Sequence, residues 1–342
     1  MRGSEHSVLR ILDANFNRAS EALRVVEDTV RFQFDDSALA STAKHLRHEL
    51  ESLRDNAGYA RLASARDTAA DVGTTISTAA EVKRTDTSHI LRANFRRLAE
   101  ALRVIEEHLK LAGSNGCTVA ESMRYRSYSL ETTVLRRSSR AAVEGVKLMV
   151  IASLSDLERT VTELAGLPHL AVQIRAKGVN DAEFLRCASD AVARCRDAGL
   201  FVLVNDRADI CALCGADGVH LGLDDLPVAE ARRLLPITAL VGTSTHTGAD
   251  ALAAASAGAD YAGAGPCYPS STKSFEGFPG PEFPARAEEL FGGPVFAIGE
   301  IDGTNIAQLV SLGVRRVAVS AAVCRSADPR AAALALLDAL PD

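Results

Sequence analysis

Eight short apolar runs, each followed by an amphipathic stretch, constrain the fold of this chain more than any other feature of its sequence. Strands that alternate with helices form parallel sheets, and eight such units are typical of a closed barrel. The sequence therefore predicts a (β/α)8 TIM barrel over residues 147–342, with an open doubly wound sheet as the alternative fold. The predicted strands are residues 148–152, 170–174, 201–204, 218–221, 240–243, 261–265, 295–298 and 317–319.

The first part of the sequence, residues 1–140, has the rhythm of helices and contains an internal repeat. Residues 11–32 and 90–111 align without gaps at an offset of 79, and 12 of the 22 positions are identical. Both copies place apolar residues three or four positions apart, which is the spacing of one helix face. Identical polar positions go beyond what an apolar stripe requires, so we expect two equivalent helices packed in one bundle.

The whole chain is thus predicted to be an α/β barrel preceded by an all-α domain. Further helices are expected at residues 37–54 and 122–140, with breaks at 73–78 and 113–116. Residues 138–145 are small and polar, and they are predicted to form a linker between the two domains.

Charge and composition exclude several classes of protein. The net charge is −6, and neither part of the chain is basic enough to favour nucleic-acid binding. Every apolar stretch is shorter than the roughly 18 residues that a membrane helix needs, and the first residues lack the apolar core of a secretory signal. We therefore expect a cytoplasmic protein whose partners are small molecules, without nucleic acid or membrane, and the sequence leaves a homo-oligomer open.

Two of the cysteines have the spacing of zinc ligands, but their surroundings in the sequence do not support a zinc site. Cys211 and Cys214 form a CxxC pair, but the sequence has no second pair and no His nearby. We interpret the two residues as small buried side chains and not as zinc ligands.

Carboxylates follow the third and fourth predicted strands, where the carboxyl ends of a barrel form the mouth in which chemistry takes place. Asp206 and Asp225 can share a hard cation such as Mg²⁺, which prefers oxygen ligands and often binds substrate phosphates as well. A single aspartate at a strand end can instead cap the next helix. The two positions together predict a metal site.

Cations and small polar residues follow other predicted strands. Arg175, Lys177 and Lys273 supply positive charge for phosphate groups, although Lys177 alone can be a solvated surface charge. Glycines and hydroxyls near Ser270 and Ser320 supply donors of the kind found at barrel phosphate sites. The residues by themselves therefore predict a metal-assisted enzyme that acts on phosphorylated small molecules.

The barrel half resembles the thiamine-phosphate synthases along its whole length. The family motifs Gln-Leu-Arg-x-Lys, Asn-Asp, Gly-Ala-Asp-Gly-Val-His-Leu-Gly-Gln-Glu-Asp, Gly-x-Ser-Thr-His and Gly-Pro-Val-Phe-Pro-Thr-x-Thr-Lys correspond to residues 173–177, 205–206, 215–225, 242–246 and 265–273. The resemblance implies a transferase that joins an aminopyrimidine methyl diphosphate to a thiazole phosphate and releases diphosphate. It also implies Mg²⁺ as the cofactor.

The same resemblance implies a role for each matching residue. Asp206 and Asp225 would hold Mg²⁺. The pyrimidine diphosphate would contact Gln173, Arg175, Lys177, Asn205, Ser244 and Lys273, of which Arg175, Lys177, Ser244 and Lys273 are the candidate catalytic residues. The thiazole phosphate would contact Ser270, Ser271, Thr272, Gly299, Glu300, Ser320 and Ala321.

Two of these positions depart from the family pattern. Ser270 replaces a threonine. Glu300 stands where the family has a glycine, and a carboxylate repels a phosphate unless it points away. A barrel that binds a thiazole phosphate without synthase activity is therefore the alternative function.

The helical half resembles a domain that precedes this enzyme in some bacteria and begins with Leu-Asp-Ala-Asn-x-Asn-Arg-Ala, here residues 12–19. The resemblance implies a hydroxymethylpyrimidine-phosphate kinase and hence a bifunctional chain; a dimerisation module is the alternative. Pairing within the bundle, such as Arg24 with Asp28, explains the shared polar residues equally well. These residues are Asn15, Arg18, Arg24, Asn94, Arg97 and Arg103.

Overall fold

The computed structural model describes residues 2–67, 84, 86–269 and 279–341. The chain divides into two compact units, Met1–Ser138 and Ser139–Asp342. The described residues of the first unit form helices, of which the last continues into the second unit. They are α1 (Arg2–Phe32), α2 (Ser37–Asn56), α3 (Tyr59–Ser64), α4 (Thr87–Leu111) and α5 (Gly116–Glu144).

Most of the predicted helix boundaries are confirmed, and one prediction is wrong. The break at residues 113–116 separates α4 from α5, whereas the predicted break at 73–78 lies outside the described residues. The predicted linker at 138–145 is helical as far as Glu144. Its residues before Gly145 include neither Gly nor Pro, and Val143 is fully buried, so burial of an apolar residue sustains the helix through a polar stretch.

The two copies of the repeat form α1 and α4, which pack against each other. The pair is antiparallel, since Gln33 just after α1 hydrogen-bonds Thr87 at the start of α4 at 2.9 Å. Asn15 and Asn94 are buried at equivalent positions, and each donates its amide to the carbonyl four residues earlier at 2.8 Å. The predicted pairing of equivalent helices is therefore confirmed.

Each copy also buries one glutamate among cations. Glu27 accepts a hydrogen bond from Arg47 of α2 at 2.8 Å, and Glu106 is wholly buried. Burial alone would raise the pKa of Glu106, but the hydrogen bonds that it accepts outweigh burial and lower its pKa. The donors to Glu106 are Lys110 at 2.6 Å, Arg103 at 2.8 Å and Arg124 at 3.1 Å.

Replacing Glu106 by Gln is expected to lower the free energy of unfolding of the helical unit by about 3 kcal/mol, because it leaves the largely buried Arg124 without its anion. Glu107→Gln is the matched control: Glu107 pairs with Arg103 and Lys110 but is 47% exposed, and its loss should cost less than about 1 kcal/mol. The chain has no tryptophan, so unfolding is followed by far-ultraviolet circular dichroism. Equal losses for the two variants would contradict this account of Glu106.

The second unit is a closed barrel of eight parallel strands in sequential order. The predicted fold class is confirmed, and the open-sheet alternative is wrong. All eight predicted strands are present, with ends that differ by no more than two residues. They are β1 (Leu148–Ser153), β2 (Leu170–Arg175), β3 (Phe201–Asn205), β4 (Gly218–Leu221), β5 (Leu240–Thr245), β6 (Tyr261–Ala264), β7 (Val295–Ile298) and β8 (Val317–Val319).

Helices surround the barrel and bury the outward-facing strand residues. Their bounds are α6 (Leu154–Leu164), α7 (Asp181–Asp197), α8 (Ala208–Cys214), α9 (Val228–Leu234), α10 (Gly248–Ser256), α11 (Phe283–Phe291), α12 (Ile306–Ser311), α13 (Ala321–Cys324) and α14 (Pro329–Ala339). A separate apolar cluster fills the barrel interior. Its strand residues are Met149, Ala171, Leu203, Leu240, Tyr261, Phe296 and Ala318.

None of the helices in the described part of the chain combines the length and the apolar character needed to span a bilayer. Cys211 is buried and Cys214 half-buried, and both are free thiols. Within the residues that the structure describes, no three His, Cys, Asp or Glu side chains form a ready-made metal cluster. The burial of Cys211 agrees with the interpretation of the pair as small packed side chains.

Candidate active site

The candidate residues continue the inward-facing register of the barrel core towards the carboxyl ends of the strands. Side chains alternate along each strand, so inward-facing Ala171, Leu203 and Leu240 are followed on the same side by Gln173, Asn205 and Ser244. The strand pairing aligns Asn205 with His220 and His220 with Gly242. These side chains therefore form the upper layers of the barrel interior.

The structure brings Asp206 and Asp225 together. Asp206 directly follows β3, and Asp225 lies in the turn after β4, where its carboxylate accepts the Gly222 amide at 2.6 Å. Burial raises the pKa of Asp206, and Asp225 raises it further through its charge and a hydrogen bond between the two side chains. Asp225 does not cap α9, which begins after Pro227 without a side-chain cap.

Two cations lie close enough to act on this carboxyl pair. The charges of Arg175 and Lys177 both oppose the rise in the pKa of Asp206. Arg175 ends β2 and is half-buried, whereas Lys177 is exposed two residues later. The site thus combines two acidic and two basic side chains at the ends of three neighbouring strands.

Gln173 and Asn205 lie deeper than these charged groups. Gln173 is buried, and its amide lies 3.3 Å from the sulfur of Met149. Asn205 is half-buried at the end of β3. Both positions suit polar groups that orient a ligand at the floor of the mouth.

His220 and Ser244 form a hydrogen-bonded pair at the same level. The Nε2 atom of His220 lies 3.1 Å from the Ser244 hydroxyl oxygen. Burial lowers the pKa of His220 to about 4, although the charge of Asp225 acts in the opposite direction. The imidazole is therefore neutral near pH 7.

The ends of β3 and β7 carry unusual backbone. Asp206 and Glu300 are non-glycine residues with φ of 66° and 48°, a conformation that costs free energy and tends to occur at functional sites. Glu300 is exposed, and its carbonyl accepts a hydrogen bond from the Asn305 amide at 2.8 Å. Gly299 before it has φ of 113°, and a Cβ there would lie 2.7 Å from Pro266.

The remaining predicted contacts fall into two groups. Ser320 and Ala321 are exposed after β8, and the Ser320 hydroxyl donates to the Ile151 carbonyl at 2.7 Å. Ser270, Ser271, Thr272 and Lys273 lie outside the described residues.

Sequence reasoning missed Tyr261, which is fully buried inside the barrel with its ring centroid 5.6 Å from that of His220. The sequence signal that could have revealed Tyr261 is a pair of nearby glycines, one on the neighbouring strand β5 and one on its own strand β6. Gly242 lies directly against the ring, and Gly263 leaves room for His220. Glycines on neighbouring strands of a barrel indicate that one large inward side chain fills their space.

The repeated polar residues of the helical unit divide according to their contacts. Asn15 and Asn94 bond to their own helices, and Arg24 pairs with Asp28 at 3.3 Å, as the i,i+4 spacing predicted. Arg103 likewise pairs with carboxylates of its own helix. Arg18 and Arg97 are exposed at equivalent positions, and packing within the bundle gives no reason for their identity.

Comparisons with known proteins agree with both halves. Residues 148–323 match the family model described as thiamine monophosphate synthase, and residues 10–133 match that of the ThiD2 family. The thiamine-phosphate synthase of Gloeobacter violaceus is 39% identical over 332 residues, covering 95% of this chain and 94% of that protein. That of Synechocystis is 37% identical over 340 residues, covering 99% and 98%.

Among solved structures, the thiamine phosphate pyrophosphorylase from Pyrococcus furiosus is 30% identical with a TM-score of 0.52, covering 58% of this chain and 96% of that one. That match covers about the extent of the barrel. Together with the near full-length relatives, it shows that the chain belongs to the thiamine-phosphate synthase family, with a ThiD2-family domain ahead of the barrel.

Proposed function

We propose that the barrel catalyses the Mg²⁺-dependent condensation of an aminopyrimidine methyl diphosphate with a thiazole phosphate, giving thiamine phosphate and diphosphate. The observation that carries the proposal is the adjacency of Asp206 and Asp225 beside Arg175 and Lys177 at one end of the barrel. The family relationship supports the reaction. The metal and the role of each residue are our inference.

The carboxyl pair fits a magnesium ion. Burial raises the pKa of Asp206, and repulsion by the adjacent carboxylate of Asp225 raises it further. A divalent cation bound between the two carboxylates would relieve this repulsion, and Mg²⁺ accepts two protein carboxylates together with phosphate oxygens. When bound, the ion would supply Lewis-acid stabilisation of the negative charge on the departing diphosphate.

The cations of the chain would hold the same leaving group. Arg175, Lys177 and Lys273 would contact the diphosphate and stabilise the charge that grows on it as the carbon–oxygen bond breaks. The bonding electron pair leaves with the diphosphate, and a pyrimidine-methyl cation remains. The thiazole nitrogen then donates its lone pair to form the carbon–nitrogen bond.

The polar floor of the mouth would orient the pyrimidine. Gln173, Asn205 and Ser244 would contact the ring and hold its methylene carbon towards the thiazole. This reaction needs no protein nucleophile, and the barrel's buried pair, His220 with Ser244, is neutral. The thiazole phosphate would contact Ser270, Ser271 and Thr272, together with Gly299, Ser320 and Ala321.

Glu300 supports the alternative of a barrel that binds without catalysis, because its carboxylate adjoins the proposed thiazole-phosphate site. The near full-length synthase relatives favour the synthase. Purified protein given both substrates and Mg²⁺ should release diphosphate and form thiamine phosphate, and EDTA should stop both. Calorimetric binding of the thiazole phosphate without any turnover would favour the alternative.

The raised pKa of Asp206 predicts how metal binding depends on pH. A proton on Asp206 competes with Mg²⁺, so the apparent affinity for Mg²⁺ in the presence of diphosphate should already fall on acidification at a pH above the ordinary aspartate value of 3.8. Excess Mg²⁺ should restore binding. Calorimetry at a series of pH values measures the affinity for Mg²⁺. An affinity that falls only around the ordinary aspartate pKa would contradict the prediction.

For the helical unit we propose a hydroxymethylpyrimidine-phosphate kinase that supplies the diphosphate used by the barrel. The match to the ThiD2 family supports it. Arg18 and Arg97 are the candidate phosphate contacts, because contacts within the helices engage the other four candidates, Asn15, Arg24, Asn94 and Arg103.

The full chain given the pyrimidine monophosphate, ATP and the thiazole phosphate should form thiamine phosphate. The double variant Arg18→Gln, Arg97→Gln should no longer form thiamine phosphate from the pyrimidine monophosphate and ATP. It should still form it from the pyrimidine diphosphate. Arg24→Gln serves as the control because Arg24 has partners within its helix. Failure of the wild type with ATP would favour the dimerisation module. The cytoplasmic location and the oligomeric state stay predictions.

A further inference from the structure

One buried pair in the barrel has a hydrogen-bond arrangement that limits what it can offer a ligand. His220 is 8% exposed, and its Nε2 atom lies 3.1 Å from the Ser244 hydroxyl oxygen. Its other ring nitrogen, Nδ1, is buried and has no hydrogen-bond partner within the described part of the chain.

Packing fixes the orientation of the ring. Tyr261 lies beside it with the two ring planes at 33°. A Cβ on Gly263, two strands away on β6, would lie 3.1 Å from the His220 Cε1 atom, so the glycine provides the space in which the imidazole lies. The contact between Nε2 and Ser244 is therefore imposed by the surroundings of the ring.

A neutral imidazole carries one proton, on either Nδ1 or Nε2. If the proton were on Nδ1, a buried N–H group would have no acceptor, and Nε2 would have to accept the proton of the Ser244 hydroxyl. If the proton is on Nε2, the ring donates a hydrogen bond to Ser244, and only the lone pair of Nδ1 has no hydrogen-bond partner. Buried donors without an acceptor are rarer than under-used acceptors, so the second arrangement is favoured.

We infer that His220 is a positioning residue that donates from Nε2 to Ser244, so that the Ser244 hydroxyl proton points to the barrel mouth and recognises a ring nitrogen of the pyrimidine. With the opposite tautomer, Nε2 would accept the hydrogen bond of the Ser244 hydroxyl, and its proton would not be available to the ligand. The part of this inference that concerns the ligand rests on the proposed synthase function. The tautomer itself is a property of the free protein.

The first test addresses the tautomer without any substrate. Long-range ¹H–¹⁵N spectra of histidine-labelled full-length protein at neutral pH distinguish the two forms, and the His220→Leu variant assigns the His220 signals. We expect a protonated Nε2 and an unprotonated Nδ1. The reverse pattern would overturn the inference even if the enzyme proves to be an active synthase.

The second test uses a mutant cycle on the condensation reaction. His220→Leu should raise the KM for the pyrimidine diphosphate about 2- to 10-fold, which corresponds to one neutral hydrogen bond, and leave the KM for the thiazole phosphate unchanged. His220→Gln should restore most of the loss, because its amide can donate from the position of Nε2. In a Ser244→Ala background, His220→Leu should add no further loss.

Losses that multiply in the double variant would contradict a role through Ser244, as would a wild-type KM in His220→Leu. If the leucine variant does not fold, the same cycle is run with His220→Asn, whose shorter amide does not reach the position of Nε2, and the His220 signals are assigned from that variant's spectra. Absence of turnover in the wild type would overturn the proposed function but would leave the tautomer result standing.

Discussion

Replacing Asp206 by Asn is expected to reduce the rate of thiamine phosphate formation by at least about 100-fold, the effect of removing one preorganised electrostatic group from an active site. The same change should raise the unfolding temperature of the metal-free protein at neutral pH. The pKa of Asp206 is raised in the folded chain by burial and by Asp225, so its ionisation opposes folding, and a neutral amide removes that repulsion.

The sign of this stability effect follows from proton linkage. A carboxyl group with a raised pKa in the folded state binds more protons there than in the unfolded chain, so the wild type gains stability as the pH falls from neutral through that raised pKa. Asp206→Asn should lack this gain. Thermal unfolding in EDTA at several pH values measures it.

Asp224 provides the matched control for the loss of activity. It precedes Asp225 in the same turn and is exposed. Asp224→Asn should keep wild-type turnover, whereas Asp225→Asn should match Asp206→Asn and the double variant should release no diphosphate. Full activity in the double variant would contradict the proposed metal site, and equal losses in all three single variants would attribute the effect to the turn and not to the metal.

Replacing Gly242 by Ala is expected to destabilise the barrel unit by about 3 kcal/mol or more, at the upper end of the cost of overpacking a core. A Cβ at this position would lie 2.0 Å from one atom of the Tyr261 ring and within 2.4 Å of two others. The ring is fully buried, so it cannot move aside without displacing the layer that contains His220. For a domain of this size the change should lower the unfolding temperature by about 6–12 °C.

Gly303→Ala is the control for this substitution. A Cβ on Gly303 would meet nothing within 4 Å, and this glycine is not among those with a positive φ. Its replacement should leave the unfolding temperature within about 2 °C of the wild type. Calorimetry of both variants decides the matter, and an unchanged transition in Gly242→Ala would show that the barrel accommodates the methyl group.

The barrel could be predicted from the sequence because each strand is a short apolar run between amphipathic segments. The linker at residues 138–145 could not, since its small polar residues resemble a loop, and only the burial of Val143 shows why the helix continues. Helix ends that depend on a tertiary contact are not visible in local composition.

The sequence predicted which residues belong to the candidate site, but it predicted only part of their spatial arrangement. The family motif placed Gln173 and Arg175 at the end of the second strand, and strand order placed Asp206 near Asp225. The backbone of Asp206 has a positive φ, which the sequence does not specify. The role of Tyr261 depends on the barrel register, which aligns it with Gly242.

The most direct test of the central claim is a crystal of the protein grown with diphosphate and Mn²⁺, which occupies magnesium sites and is located by its anomalous scattering. The account predicts one strong peak within about 2.3 Å of carboxylate oxygens of both Asp206 and Asp225 and of at least one diphosphate oxygen. Diphosphate bound at the barrel mouth with no metal peak between these two side chains would contradict it.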